Sequence, residues 1–207
     1  MLKPKDLFDG LKDINIDFYA GVPDSLLKNF CNYVDDNSDS HKHLIAANEG
    51  NAISIAAGYH LTSGKVGAVY LQNSGLGNCV NPLLSLTHEE VYSIPIFMII
   101  GWRGEPGVKD EPQHIKQGQA TIKQLEMMDV DYLILDKDSN LSDVLKEAMK
   151  SLKFKRPFAL LVKRDTFLPY EKTKNKVLAS RLSRERAIRE IIRLSSKKDL
   201  VFCTTGK

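Results

Sequence analysis

The sequence predicts an α/β fold: an open, mostly parallel sheet with helices on both faces. Short apolar runs alternate along the 207 residues with amphipathic segments of helical spacing, which is the pattern of βαβ units. Several of these runs, such as IPIFMIIG at 94–101, are hydrophobic at every position or nearly so. Continuous apolar strands are typical of a sheet that is covered on both faces.

The individual elements follow from apolar spacing and from residues that start or stop helices. Strands are predicted at 16–20, 43–47, 66–72, 94–101, 132–135 and 157–163. Helices are predicted at 4–14, 25–35, 49–64, 118–128 and 139–152. The first helix places Leu7 and Leu11 on one face; Gly64 stops the third, and Ser139 with Asn140 starts the last. The aperiodic stretch 101–117 is predicted to be a long loop.

The end of the chain predicts a change of domain. We expect residues 1–165 to form the first domain and the polar segment 166–182 to be a linker. A helix at 183–196 and a strand at 199–206 would then begin a second domain, in residues 183–207. A lone helix and strand cannot bury their apolar faces, so we expect that second domain to continue beyond this sequence.

Composition narrows the class of protein. Lys and Arg number 29 against 26 Asp and Glu, a net charge of +3, which does not suggest a nucleic-acid or membrane-surface protein. The longest apolar stretch, 94–102, is too short to cross a bilayer, and the N-terminus does not resemble a signal peptide. Three well-separated cysteines, Cys31, Cys79 and Cys203, indicate reduced thiols and a cytoplasmic location.

Four segments are predicted to meet at one edge of the sheet, where parallel strands end and where ligands bind in such folds. They are 21–25, 47–50, 72–78 and 101–117. Glu49 lies between a strand and a helix of small residues. From spacing alone, a charge favoured at the helix N-terminus is the more common explanation, and a catalytic carboxylate is the alternative.

Two further features of this edge also allow two interpretations. Gly75 and Gly77 precede a helix; they either let a ligand approach the backbone or form a plain tight turn at 73–78. The segment 101–117 carries three cationic and three acidic residues besides His114. It either directs Arg103 and His114 at an anion or pairs its charges within itself.

Four strings of the sequence are similar to a known family. They are GVPDSLLK at 21–28, NEGNAISIAAGYHLTSGK at 48–65, VYLQNSGLGNCVNPLLSL at 69–86 and IGWRGEPGVKDEPQHIKQG at 100–118. Together they resemble the phosphonopyruvate decarboxylases, thiamine-diphosphate enzymes closely similar to the sulfopyruvate decarboxylases. The resemblance implies that the first domain is the pyrimidine-binding (Pyr) domain of that fold and that 183–207 begins the diphosphate-binding (PP) domain.

The resemblance also implies roles for residues. The counterpart of Glu49 contacts a ring nitrogen of the cofactor's aminopyrimidine and favours the imino tautomer, which takes the thiazolium C2 proton and gives the ylide. The remaining expected contacts are Gln72, Asn73 and Ser74 for the cofactor and Asp24 and Ser25 for the substrate. On electrostatic grounds we expect Arg103 and His114 to bind the phosphonate, because a guanidinium suits that group.

The activity that the resemblance implies is decarboxylation of 3-phosphonopyruvate to phosphonoacetaldehyde and CO2, a step of phosphonate biosynthesis, for example toward 2-aminoethylphosphonate. Thiamine diphosphate and Mg²⁺ would be the cofactors. The family holds the metal and diphosphate through a G-D-G…N motif of the PP domain, and this sequence contains no G-D-G. We therefore expect a homo-oligomer or a partner PP-domain chain to complete the site, and this chain alone to be inactive.

Three alternatives stand beside this interpretation. The first is the alpha-type subunit of a sulfopyruvate decarboxylase, with the PP domain on a separate chain. The second is a non-catalytic Pyr-like domain that dimerises or regulates. The third, a flavodoxin-like nucleotide binder, has the expected topology but lacks a phosphate loop.

Overall fold

Six parallel strands form the single sheet of the part of the chain that the structure describes. The structure, a computed structural model, describes residues 1–173, 183–196, 198 and 199. The strands are β1 (Tyr19–Gly21), β2 (His43–Ile45), β3 (Gly67–Gln72), β4 (Ile96–Gly101), β5 (Asp131–Leu135) and β6 (Phe158–Val162). Their order across the sheet is β2-β1-β3-β4-β6-β5, and every neighbouring pair is parallel. The predicted strands and the α/β fold are confirmed.

Helices connect these strands, and capping residues set several of their ends. They are α1 (Pro4–Asp13), α2 (Lys28–Asn37), α3 (Glu49–Ser63), α4 (Leu76–Pro82), α5 (Pro112–Met127) and α6 (Leu141–Lys153). The side chain of Asn48 accepts a hydrogen bond from the Asn51 backbone N–H at 2.9 Å, and Asn140 accepts one from Ser142 at 3.0 Å. Gly64 ends α3 with a left-handed φ of 70°. The predicted helix stop at Gly64 is therefore confirmed.

The hydrophobic core has two halves, one on each face of the sheet. Residues of α3, α4 and α5 pack on one face, and residues of α1, α2 and α6 pack on the other. The side chains of β3 alternate between them: Val69 and Leu71 enter the first half, Ala68 and Tyr70 the second. The expectation of helices on both faces is confirmed. The four inner strands β1, β3, β4 and β6 are buried, as a doubly covered parallel sheet requires, whereas the outer strands β2 and β5 are partly exposed.

The prediction of an irregular segment over the whole of 101–117 is wrong. Helix α5 begins at Pro112, six residues before the predicted start, so the irregular part ends at Glu111. Proline at the first helical position lacks only an N–H that would be unbonded there, and its fixed φ suits the helix. The polar first turns of α5 show little apolar spacing, which hid the helix from a periodicity argument.

Two other boundaries differ from the prediction. Helix α2 begins at Lys28, not at residue 25, because residues 25–27 form the turn that Asp24 closes. The predicted tight loop at 73–78 is shorter: a single 3-10 turn covers Asn73–Gly75, and α4 starts at Leu76.

Two units make up the chain, Met1–Thr173 and Lys174–Lys207. The residues that directly follow β6 belong to the first unit. There Phe167 forms an isolated parallel β-bridge with Leu2, and the Tyr170 hydroxyl donates a hydrogen bond to Asp36 at 3.0 Å. In the second unit the structure describes helix α7 (Arg184–Leu194), which confirms the predicted helix at 183–196. The predicted strand at 199–206 lies almost wholly outside the described residues. The predicted domain boundaries stay a prediction.

Cys31 and Cys79 are free and buried, and burial raises the pKa of each thiol to about 12. They are therefore poor nucleophiles at neutral pH. Cys203 lies outside the described residues. Among the residues that the structure describes, no helix combines the length and the apolar character needed to cross a membrane. The cytoplasmic location stays a prediction.

Candidate active site

The candidate site lies where the strand order reverses. Strands β1 and β3 are neighbours, but the chain leaves β1 through α2 on one face and leaves β3 through α4 on the other. Connections that diverge in this way leave a crevice at the carboxyl ends of the two strands, the usual ligand position in open α/β sheets. The segments after β1, β2, β3 and β4 all reach this edge, as predicted.

Glu49 is the first residue of α3, and its carboxylate is anchored through one oxygen. Asn48, not Glu49, caps the helix. Oε2 of Glu49 accepts a hydrogen bond from Asn78 Nδ2 at 2.7 Å, while Oε1 accepts none from the described residues. The side chain is partly exposed. An oriented carboxylate with one open oxygen at the sheet edge is suited to bind a polar ligand atom.

Gly75 provides the space that the Glu49 carboxylate occupies. A Cβ built on Gly75 would lie 2.5 Å from Glu49 Oε1, and closer still to two carbons of that side chain. Gly75 has an ordinary helical backbone, φ −78° and ψ −8°, so a side chain here would displace Glu49 without straining the backbone. A Cβ on Gly77 would meet nothing within 4 Å. Of the two predicted glycines, only Gly75 therefore touches the site.

The three residues of the β3 turn divide into one buried and two surface side chains. The buried Asn73 amide donates to the Arg103 carbonyl and to Thr121 Oγ1, both at 2.8 Å, and its oxygen accepts from the Arg103 N–H at 3.1 Å. Gln72 Nε2 donates to Ser74 Oγ at 2.6 Å. The Asn73 side chain thus ties the end of β3 to the end of β4, while Gln72 and Ser74 keep their polar atoms at the surface of the turn.

Asp24 places a buried carboxyl group after β1. Its Oδ2 accepts hydrogen bonds from the N–H groups of Leu26 and Leu27, both at 3.2 Å, and fills the space next to the missing side chain of Gly101. Asp24 is 5% exposed, and its Oδ1 has no hydrogen-bond partner among the described residues. Burial raises the pKa of Asp24 although the two backbone donors oppose the shift. This carboxyl therefore holds a proton more readily than an exposed aspartate.

Arg103 bridges the β1 and β4 loops. Its Nη1 donates to Ser25 Oγ at 3.0 Å, and its Nε donates to Asp110 Oδ2 at 2.9 Å. Asp110 also accepts backbone N–H bonds from Gly104 and Glu111, both at 2.8 Å. The hydrogen bonds from the Arg103 guanidinium hold the pKa of Asp110 well below its usual range. Asp110 therefore fixes the guanidinium and folds the loop around it.

His114 lies in the first turn of α5 and is partly exposed. Its backbone carbonyl packs against Gly104, whose φ of 69° and close contact both require glycine. Its ring makes no hydrogen bond to another described residue. The loop after β4 thus brings Arg103 and His114 to the same sheet edge, and their contact with a substrate stays a prediction.

The sequence did not single out two residues of the site. Asn78 orients Glu49, and it lies on α4 three residues after Gly75, where its only sequence signal is a polar residue beside a glycine. Asp110 is one of three acidic residues of the loop, and nothing in the spacing showed which one meets Arg103.

Comparison with characterised proteins finds two groups of relatives. The chain is 40% identical over 135 residues to a phosphonopyruvate decarboxylase of Streptomyces viridochromogenes, over 65% of this chain and 33% of the relative. It is 34% identical over 157 residues to the sulfopyruvate decarboxylase subunit alpha of Methanococcus maripaludis, over 75% of this chain and 91% of that subunit. The chain spans about a third of the length of the phosphonopyruvate decarboxylases that it matches.

Solved structures and a family profile agree with these relatives. Benzoylformate decarboxylase from Polynucleobacter necessarius superimposes with a TM-score of 0.59 at 18% identity, over 93% of this chain and 36% of that one. At this identity the likeness shows the fold alone. The profile of "Thiamine pyrophosphate enzyme, N-terminal TPP binding domain" matches residues 4–129, which include Asp24, Glu49 and Arg103. The chain belongs to the thiamine pyrophosphate enzymes, as their N-terminal TPP-binding domain.

Proposed function

We propose that this chain supplies the pyrimidine-binding half of a thiamine-diphosphate-dependent carboxy-lyase that converts 3-phosphonopyruvate to phosphonoacetaldehyde and CO2. The observation that carries the proposal is the Glu49 carboxylate. One oxygen is anchored by Asn78 and the other is open, in a space that Gly75 leaves at the switch point of the sheet. The family membership supports a role of this carboxylate toward the cofactor.

The described residues fit the aminopyrimidine end of thiamine diphosphate. Glu49 Oε1 would meet a ring nitrogen, and the surface side chains of Gln72 and Ser74 would line the adjacent turn. When bound, the cofactor supplies the electron sink that stabilises the carbanion left by CO2. We further propose that Mg²⁺ and the diphosphate are held by a PP domain of a homo-oligomer or a partner chain, in the cytoplasm.

Two carboxyl groups of this chain would handle protons. Glu49 would share a proton with the ring nitrogen, and its bond to Asn78 keeps the carboxylate in one orientation. Decarboxylation of a 2-oxo acid to an aldehyde consumes one proton, which must reach the carbon that lost CO2. Asp24 has a raised pKa, and its Oδ1 has no hydrogen-bond partner among the residues that the structure describes, which suits this group to deliver that proton.

The substrate assignment rests on the relatives and on charge. The relative with 40% identity is a phosphonopyruvate decarboxylase, and the Methanococcus subunit at 34% acts within a sulfopyruvate decarboxylase, as their names state. Both substrates are 2-oxo acids with a tetrahedral oxyanion. The Arg103 guanidinium provides positive charge next to Ser25, and the His114 side chain would be a further polar contact. We assign phosphonopyruvate in phosphonate biosynthesis as the first choice.

The test requires a completed enzyme, meaning this chain continued into, or mixed with, a PP domain. With thiamine diphosphate and Mg²⁺ added, phosphonopyruvate is followed by phosphorus NMR and sulfopyruvate by proton NMR. We expect phosphonoacetaldehyde to form at a higher kcat/KM than the sulfonate product. Turnover of sulfopyruvate alone would overturn the substrate, and turnover of neither 2-oxo acid would overturn the enzymatic proposal in favour of a non-catalytic domain.

A further inference from the structure

A polar cavity opens beside the site described above. It has a volume of about 330 Å³ and lies between the β1 turn, the first turn of α2 and the residues after β6. Its lining includes the polar residues Ser25, Lys28, Asn29, Arg103, Arg164 and Asp165. Two of these, Ser25 and Arg103, are joined by the hydrogen bond that connects the β1 and β4 loops. The cavity therefore borders the candidate active site.

The cavity is cationic. Lys28, Arg103 and Arg164 line it against a single acidic lining residue, Asp165. Behind the lining, the side chain of Asp110 is 4% exposed and forms ion pairs with both arginines, with Arg164 at 3.4 Å. Counting Asp110, three cations still face two acids. Shared pairing with one buried carboxylate also holds the two guanidinium groups near each other, because both must reach the same oxygen, Oδ1.

The hydrogen-bonding groups of the cavity suit an oxyanion. Arginine presents a planar fork of donors that matches the oxygens of phosphate-like groups. Asn29 accepts from the Tyr170 N–H through Oδ1 at 3.2 Å, which leaves its NH2 group as a donor. The Ser25 hydroxyl can donate as well, since it accepts from Arg103. Donors therefore outnumber acceptors around the cavity.

A series of contacts connects this cavity to Glu49. The backbone of Arg103 is held by Asn73, and Asn73 begins the 3-10 turn that ends at Gly75. Gly75 in turn lies against the Glu49 carboxylate. The cavity and the carboxylate thus occupy the same edge of the sheet and are connected through one short turn.

We propose that this cavity binds the tetrahedral oxyanion, a phosphonate or a sulfonate, at the end of the substrate opposite its carboxylate, with Arg164 and Lys28 as specificity-determining residues beside Arg103. The inference rests on the proposed function for the identity of the molecule that carries the oxyanion. The proposal adds Lys28 and Arg164, two cationic residues that the resemblance did not indicate, to the expected substrate contacts. It also predicts a preference for substrates that end in an oxyanion over pyruvate, which has only a methyl group there.

The direct test is a binding measurement on the 207-residue chain. Methylphosphonate and methanesulfonate are titrated at constant ionic strength while backbone amide shifts are followed by NMR. We expect saturable shifts at Ser25, Asn29 and Thr166, which line the cavity. The variant Arg164→Gln should weaken binding by about tenfold or more, because it removes a charge-assisted donor. Arg164 is 43% exposed in its side chain, so the substitution should not unfold the chain.

Arg156→Gln is the matched control. Arg156 precedes β6 and Arg164 follows it, so the two arginines lie at opposite edges of the sheet. The control should bind methylphosphonate as the unaltered chain does. An absence of shifts at the cavity residues, or equal weakening in Arg156→Gln and Arg164→Gln, would overturn the proposal.

A second measurement separates this inference from the proposed function. In the completed enzyme, Arg164→Gln should raise KM for phosphonopyruvate about tenfold and leave the kinetics of pyruvate unchanged. An equal loss with both substrates would overturn the specificity role. Oxyanion binding at the cavity in an enzyme that decarboxylates neither 2-oxo acid would leave the binding site standing and overturn the proposed function instead.

Discussion

Replacing Gly75 by alanine should separate stability from function. A Cβ at this position would lie 2.5 Å from Glu49 Oε1, about 1 Å short of an ordinary contact. The conflict is with the flexible end of a side chain, so Glu49 moves and the backbone does not. Because the backbone at Gly75 is helical, alanine is allowed there and should stabilise the fold by about 0.5–1 kcal/mol.

The displaced Glu49 carboxylate should no longer hold the position in which it is proposed to contact the cofactor. A movement of about 1 Å lengthens the 2.7 Å bond to Asn78 beyond hydrogen-bond range and moves Oε1 from its present position. A hydrogen bond to a charged group contributes about 1.5–3 kcal/mol. We therefore expect Gly75→Ala to weaken the binding of thiamine diphosphate by about tenfold to a hundredfold while the melting temperature stays equal or rises.

The assay is isothermal titration of thiamine diphosphate into the completed enzyme, together with thermal unfolding of the chain. Gly77→Ala is the control, because its Cβ meets nothing within 4 Å; it should share any gain in stability and keep the affinity. Unchanged affinity in Gly75→Ala would refute the role of Gly75 in seating Glu49. Unfolding of Gly75→Ala would refute the argument that only a flexible side chain has to move.

Three further predictions concern the groups that hold the site together. Asp110→Asn should lower the free energy of unfolding in urea at pH 7 by about 3 kcal/mol, against less than about 0.5 kcal/mol for the exposed control Asp138→Asn. The pKa of Asp110 is lowered in the folded chain, so its contribution to stability is present above the unfolded pKa of 3.8 and is lost as pH falls below 3.8 toward the folded pKa. An equal loss of stability at pH 2 would contradict the assignment. Asp24→Asn should remove a decline of stability with rising pH. The pKa of Asp24 is raised in the folded chain, so its contribution to stability is present below the unfolded pKa of 3.8 and is lost as pH rises through the folded pKa. If the stability of the unaltered chain and of Asp24→Asn, measured by unfolding at several pH values, changes in parallel, Asp24 is not the cause. Asn73→Ala should cost about 2–3 kcal/mol, because it removes the amide donor of the Arg103 carbonyl and of the buried Thr121 Oγ1. A loss below about 0.5 kcal/mol in urea unfolding would show that the amide does not tie β3 to β4.

The fold could be predicted because its signals are local. Strands such as β4 and β6 are continuous apolar runs, and caps such as Asn140 and Gly64 act on their own helices. The start of α5 at Pro112 was missed because the first turns of that helix are polar, so burial periodicity carried no information there. Where the apolar pattern is weak, the position of a proline is the better signal.

The site could be predicted only in part, because its contacts join residues that are distant in sequence. Glu49 is recognisable from its position and from the family strings, but its partner Asn78 is 29 residues away. Asn73 is a polar residue in a loop-like string, and only the structure shows that its amide is buried. The pairing of Asp110 with Arg103 and Arg164 depends on how the loop folds back, which no spacing rule describes.

The most direct test of the central proposal is the rate at which the completed enzyme exchanges the C2 proton of bound thiamine diphosphate for deuterium, followed by proton NMR. It measures the proton transfer that Glu49 is proposed to assist, whichever 2-oxo acid is the substrate. We predict that Glu49→Gln slows the exchange by about a hundredfold or more, while Glu90→Gln, a change at an exposed glutamate, leaves it unaltered. Exchange at the unaltered rate in a Glu49→Gln enzyme that still binds the cofactor would contradict the proposal.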